Sequence, residues 1–142
     1  MINRYTRPEM GELWSPESRF QCLLDVELAV AQAQAKLKII PDKAYRELKA
    51  KAKFSVKRID EIEKTTKHDI IAFVSNVAEN VGPSGRYLHY GMTSSDVLDT
   101  ALSVQIAKAA KVLFTRFDRV EAALEKLVRK YNFTLSAGRT HG

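Results

Sequence analysis

The sequence contains a single cysteine, Cys22, among 142 residues. One thiol cannot build a disulfide framework within the chain, which points to a reducing cytosol. Glycine and proline are scarce, six and four, so long stretches run without punctuation. No apolar run approaches the ~18 residues that span a bilayer, and no membrane partner is expected. The start, Met1-Ile2-Asn3-Arg4-Tyr5, lacks the apolar segment of a secretory signal. The three histidines, His68, His89 and His141, form no i, i+4 pair and there is no cysteine pair, so no metal site is expected. Neither common type of phosphate-binding glycine loop occurs. The closing Gly138-Arg139-Thr140-His141-Gly142 has no serine at its centre, so it is not a nucleophile elbow.

What is present fits one ordinary globular domain, or part of a larger one: 45% hydrophobic and 28% charged residues. Lys and Arg number 23 against 17 Asp and Glu, a formal charge of +6. The excess favours an anionic partner, whether nucleic acid, a phosphorylated metabolite or an acidic protein. The basic residues from Lys36 to Lys67 are interleaved with apolar ones at helical spacing. A solvated helix face explains them, and no nucleic-acid recognition signature accompanies them.

The pattern is all-α. Ser15, Pro16 and Glu17 read as an N-cap, a proline at the first helical position and an acid in the first turn. Two apolar rows follow, Phe20, Leu24, Leu28, Ala31, Ala35 and Leu23, Val26, Val30, Ala33, Leu37. Together they make a broad buried face that Pro41 stops. Asp42 is placed to cap a lysine-rich helix to about Lys53, and Val56 to Glu63 forms another short one. Thr66 and Asp69 have capping-box spacing ahead of the row Ile70, Phe73, Val74, Val77, Ala78, Val81, which Gly82 and Pro83 end. Ser84 to Gly91 reads as a loop. Thr93, Ser94 and Ser95 then offer N-caps to a stripe at Leu98, Leu102, Ile106, Ala109, Leu113, Phe117, Val120, Leu124, Leu127 and Tyr131. Uninterrupted from Asp96 to Tyr131, that helix is roughly 55 Å long. A compact chain of this size has a radius of gyration of about 14–15 Å. The stripe therefore needs partners from an oligomer or from a longer chain of which this is a fragment.

Three polar segments stand outside the apolar rows. His68 and Asp69 begin a helix, where free N–H groups and the dipole favour an anion; a capping Asp beside a surface His explains the same pair. Thr93-Ser94-Ser95-Asp96 offers hydroxyls and N–H groups to a carboxylate, and ordinary N-capping explains it equally. His141 lies between Gly138 and Gly142, which permit close backbone approach. A histidine exchanges protons near neutral pH, but a surface turn would look alike.

Together, His68-Asp69, the run from His89 to Ala101 (HYGMTSSDVLDTA) and the terminal GRTHG resemble the N-terminal part of the adenylosuccinate lyase family, within the fumarase/aspartase superfamily. The resemblance covers the whole chain, including the Arg4-Tyr5 start. TSSDVLDT after HYGM is its more specific part; GRTHG is shared across the superfamily.

The resemblance implies cleavage of adenylosuccinate, or of the succinyl-carboxamide imidazole ribotide, with release of fumarate. It implies no metal or organic cofactor. It implies a small-molecule substrate, a succinylated purine nucleotide or its precursor, and a cytoplasmic homotetramer in which three chains build each site. By matching positions, Arg4 and Tyr5 would contact the nucleotide, and Lys67, His68 and Asp69 would line the site, with His68 polarising the substrate. His89 would bind ligand, Thr93, Ser94 and Thr140 would hold substrate, and His141 would be the general acid. The family's catalytic base is a serine on a glycine- and serine-rich loop with a Met-Pro-Lys-Asn signature, which these 142 residues do not contain. The implied organisation is a small helical domain over residues 1–93, followed over 94–142 by the start of a helix-bundle domain. Alternatives are another lyase or cycloisomerase of the superfamily, and a basic helical assembly or nucleic-acid-binding module.

Overall fold

The computed structural model describes residues 2–141, so Met1 and Gly142, the outer glycine of the GRTHG motif, lie outside the described residues. Six α-helices and two 3-10 turns account for the ordered elements, with no strand among the described residues. Residues Asn3–Tyr5 form the first 3-10 turn, followed by α1 (Pro8–Leu13), α2 (Pro16–Lys36), α3 (Asp42–Lys51), α4 (Val56–Thr66), α5 (Asp69–Val81), the second 3-10 turn (Pro83–Tyr87) and α6 (Ser94–Tyr131).

The core forms where α2 lies against α5, α6 and the shorter helices. Leu23, Leu48, Ile59, Ile70, Phe73, Val77 and Val97 are buried together there. Three rings anchor it: Phe20 stacks on Phe73 at 5.7 Å between centroids, and Phe54 tilts against Phe20 at 5.9 Å. Pairs at this separation add to area burial, and Phe→Ala in such a core costs about 3–5 kcal/mol. Polar side chains tie connections to this core. The buried Asn76 accepts from the Ser55 N–H at 2.8 Å, just where α4 begins. The buried Gln105 donates to the Leu13 carbonyl at 2.9 Å and fixes the end of α1 to α6.

Several boundaries differ from the sequence reading. α1 has only six residues, too few for a periodic apolar signal. α2 ends at Lys36, well before Pro41, after which Lys38 takes a positive φ of 61°. Leu37 is left outside the helix and exposed, and Ala33, within its last turn, is exposed too, so the second apolar row is buried only in its first part. Pro41, not Asp42, occupies the N-cap position of α3, and Asp42 instead bonds Lys38 at 2.9 Å. α4 runs on to Thr66, so Thr66 ends one helix rather than capping the next. The cap of α5 is His68. The segment read as a loop from Ser84 contains a 3-10 turn, because Gly85 sits directly on α5: a Cβ there would meet the Ala78 Cβ at 2.8 Å.

α6 starts within one or two residues of expectation and runs 38 residues, roughly 57 Å. In its first half the buried positions are Val97, Ala101, Gln105 and Ala109, whereas Leu102 and Ile106 of the expected stripe are exposed, because the packed face lies one residue round the helix from them. Its second half buries none of the stripe. Leu113, Phe117, Val120, Leu124, Leu127 and Tyr131 are all exposed, Phe117 by 62%.

Candidate active site

The N-termini of α5 and α6 meet at one cavity of about 350 Å³, lined by His68, Ile70, Ile71, Val74, Ser75, His89, Met92, Thr93 and Ser94. Each helix start leaves backbone N–H groups without an intrahelical partner. Each also carries the positive end of its dipole. Two such ends around one cavity, with hydroxyls and two imidazoles, suit a polyanion.

The local geometry of each residue follows from its place. Lys67 closes α4 in the left-handed conformation, φ 54°, which turns the chain into the extended His68. The His68 Nδ1 accepts from the Ile71 N–H at 3.3 Å. An accepting Nδ1 carries no hydrogen, so Nε2 bears it and is free to donate. Asp69 is spent locally: Oδ1 accepts from the Ile70 N–H at 2.8 Å, and Oδ2 pairs with Arg19 at 3.1 Å. At the other helix, the Asp96 carboxylate accepts from the Thr93 N–H at 2.8 Å, which fixes the turn that presents Ser94.

His89 sits between these starts with a positive φ of 60°, a left-handed conformation in which His is one of the more tolerated residues. Its neighbours are held from α2. The Glu27 Oε2 accepts from the His89 N–H at 2.8 Å, and Oε1 lies 2.6 Å from Nδ1. Gln34, two turns further along α2, donates to the Tyr90 carbonyl at 2.7 Å.

Of the candidate residues, the fold brings His68, His89, Thr93 and Ser94 to one cavity. Lys67 and Asp69 adjoin it without lining it. Arg4 and Tyr5 lie elsewhere. Arg4 stacks on the Tyr5 ring at 4.8 Å. Tyr5 borders a separate hollow of about 750 Å³ against Leu113, Arg116, Val120 and Leu124 of α6. Thr140 and His141 follow the far end of α6 and are exposed. From Tyr131, ten residues reach at most about 35 Å, against the roughly 57 Å that α6 spans. Within one chain, His141 cannot reach the His68 cavity.

Glu27, Ser75 and Met92 were not singled out by the sequence reading. Ser75 and Met92 carry no distinguishing pattern. Glu27 does carry one: it is a lone carboxylate between Val26 and Leu28, inside a face otherwise apolar. Among the described residues, no cluster of His, Cys, Asp and Glu is arranged to hold a metal ion.

The comparisons with known proteins agree with one another. The profile of a family described as lyase matches residues 3–142. The adenylosuccinate lyases of Synechocystis sp. and Aquifex aeolicus are 47% and 48% identical over the whole chain, which covers 33% of each. A crystal structure of fumarate lyase from Mesorhizobium sp. BNC1 superposes with a TM-score of 0.87 at 33% identity, covering 93% of this chain and 32% of that one. The chain thus spans about a third of the length of the curated relatives it matches.

Proposed function

From the premise that this chain belongs to the lyase family, we propose that the complete protein is an adenylosuccinate lyase, releasing fumarate from adenylosuccinate and from its succinylated ribotide precursor. The observation that carries the reading is the single cavity where two helix starts, His68, His89, Thr93 and Ser94 converge. The relatives named as adenylosuccinate lyases at 47% and 48% identity supply the substrate class.

The chemistry uses what the cavity offers. In β-elimination a base removes a proton beside a carboxylate, and negative charge builds on that carboxylate. The Thr93 and Ser94 hydroxyls and the N–H groups of the α6 start stabilise it without reorganisation. His68, with Nε2–H free to donate, holds and polarises the substrate. The departing amine nitrogen needs a proton, and His141 is the acid that supplies it, a step typically contributing about 10²–10⁴-fold in rate. The substrate's phosphate and two carboxylates match the +6 charge of the segment.

Because His141 cannot reach the His68 cavity of its own chain, it serves the cavity of another. Tyr5, bordering the bare half of α6, Arg4, stacked on Tyr5, and Thr140, beside His141, contact substrate in the same shared manner. Lys67 and Asp69 flank the entrance. The assembly is a cytoplasmic homotetramer built on the exposed stripe of α6. The division follows: residues 1–93 form the small helical domain, and 94–142 open the bundle. No metal or organic cofactor takes part.

The test is fumarate release. The complete protein, given adenylosuccinate, is expected to liberate fumarate and AMP. The 142-residue segment by itself is expected to liberate none, since the serine base lies outside it. Turnover by the segment alone would refute the division of labour, and none by the complete protein would refute the activity.

A further inference from the structure

Glu27 has an unusual position for a carboxylate. It lies in the middle of α2, 1% exposed, flanked by the buried Val26 and the half-buried Leu28. A buried carboxylate is tolerated only when its oxygens are satisfied. Here both oxygens are satisfied by one residue, the His89 N–H at 2.8 Å and the His89 Nδ1 at 2.6 Å. No lysine or arginine is paired with it among the described residues.

We propose that Glu27 is the positioning residue of His89: it fixes the imidazole as the Nδ1–H form and leaves Nε2 as the one ring nitrogen that meets a ligand in the cavity. An ionised carboxylate accepts and does not donate, so the hydrogen of this contact belongs to Nδ1. Such a carboxylate behind an imidazole sets its tautomer and its orientation. The second oxygen, on the His89 N–H, holds the backbone at φ 60°, a strained conformation that persists only where its surroundings enforce it. Ring and backbone are thus held by one side chain from a different helix. The neighbouring His68 is fixed the opposite way, by an accepting Nδ1. The two rings are therefore held in different ways: His68 by a backbone N–H donating to its Nδ1, and His89 by a carboxylate accepting from its Nδ1. Each leaves Nε2 as the ring nitrogen directed at a substrate atom.

The inference about affinity rests on the lyase reading, whereas the inference about the tautomer does not. In the complete protein, Glu27→Gln is expected to raise KM roughly tenfold and to leave kcat within about threefold, as loss of a binding contact does. In a His89→Asn background the same substitution is expected to change KM no further. An unchanged KM, or effects that simply add, would overturn the proposal. Should Glu27→Gln fail to yield folded protein, Glu27→Asp keeps the charge on a shorter arm. Its KM shift is expected to be smaller and likewise to vanish in the His89→Asn background; persistence there overturns the proposal equally. Spectra of the complete protein labelled with ¹⁵N-histidine give the reading that a merely structural role would not move. The His89 signals, identified by their loss in His89→Asn, are expected to report Nδ1–H in the parent. An Nδ1 without a hydrogen in the parent would overturn the assignment. Absence of turnover in the parent would count against the lyase reading alone and leave the spectra to decide this one.

Discussion

One exposed row of large apolar residues runs along both halves of α6 from Leu102, and only the first half has a buried face beside it. From Val97 to Ala109 the inward positions are buried against α1 and α2. From Leu113 to Tyr131 the corresponding positions stand in solvent. The side chains change along with the burial. The packed half is lined by Val97, Ala101, Gln105 and Ala109, of which the two alanines let helices approach closely. The bare half presents Leu113, Phe117, Val120, Leu124 and Leu127, the large side chains that core-like interfaces use. An apolar row at helical spacing therefore states that a face will be covered, and the size of its residues hints at what covers it. A contiguous exposed face of this kind marks an interaction surface.

The difference can be broken first at the chemistry, where the expected effect is largest. His141 follows the bare half and His68 faces the start of the packed one. His141→Ala in the complete protein is expected to lower kcat by about 10²–10⁴-fold. Subunits carrying His68→Ala, co-assembled with subunits carrying His141→Ala, are expected to regain part of the activity, since some cavities then hold both intact groups. Steady-state assays of the mixture check this; no recovery would overturn the sharing of one site by His68 and His141 of different subunits.

A second comparison sets Val97→Asp against Leu124→Asp. Val97 is fully buried, so an aspartate there is an unpaired interior charge worth several kcal/mol of destabilisation. It is expected to abolish folded protein. Leu124 is half in solvent at 56% exposure. An aspartate there is expected to keep the helical circular dichroism and lower the assembled mass in sedimentation velocity. Equal behaviour of the two would erase the distinction between the halves.

The smallest effect concerns pH and two solvent-accessible carboxylates outside α6. The Arg58 guanidinium on Glu79 holds that carboxyl below its ordinary 4.5, and the Ser84 hydroxyl does the same for Glu47. A carboxyl with a depressed folded value contributes stability that is full above its unfolded value and is lost as acid protonates it. Melting temperature is therefore expected to hold above pH 4.5 and to fall below it. Arg58→Ala is expected to flatten that fall only modestly, since these pairs are solvent-exposed. Thermal melts across a pH series check the direction.

Much of this was legible in the sequence. The Ser15 cap is real, with its hydroxyl accepting from the Ser18 N–H at 3.1 Å. The 38-residue helix was evident from uninterrupted three- and four-residue steps. Boundaries governed by backbone conformation were not. The left-handed turns at Lys38 and Lys67 end α2 and α4 without a glycine or proline to announce them, so Pro41 and Thr66 drew roles that other residues fill. For the candidate site, the polar helix starts stood out because they interrupt apolar rows. The approach of α5 and α6 that brings His68 to Ser94 depends on pairings far apart in the chain, which local spacing does not encode. Glu27 does interrupt an apolar face, but its partner, 62 positions away, leaves no local trace.

Gly85 and Ala78 meet with no space for even a methyl group between them, and that contact acts as a spacer of fixed width. The segment that ends at His89 hangs from it. A bulkier residue at either position would tilt the imidazole away from its carboxylate without touching the cavity wall. Damage to recognition can therefore originate on the back of α5, among residues that no ligand meets.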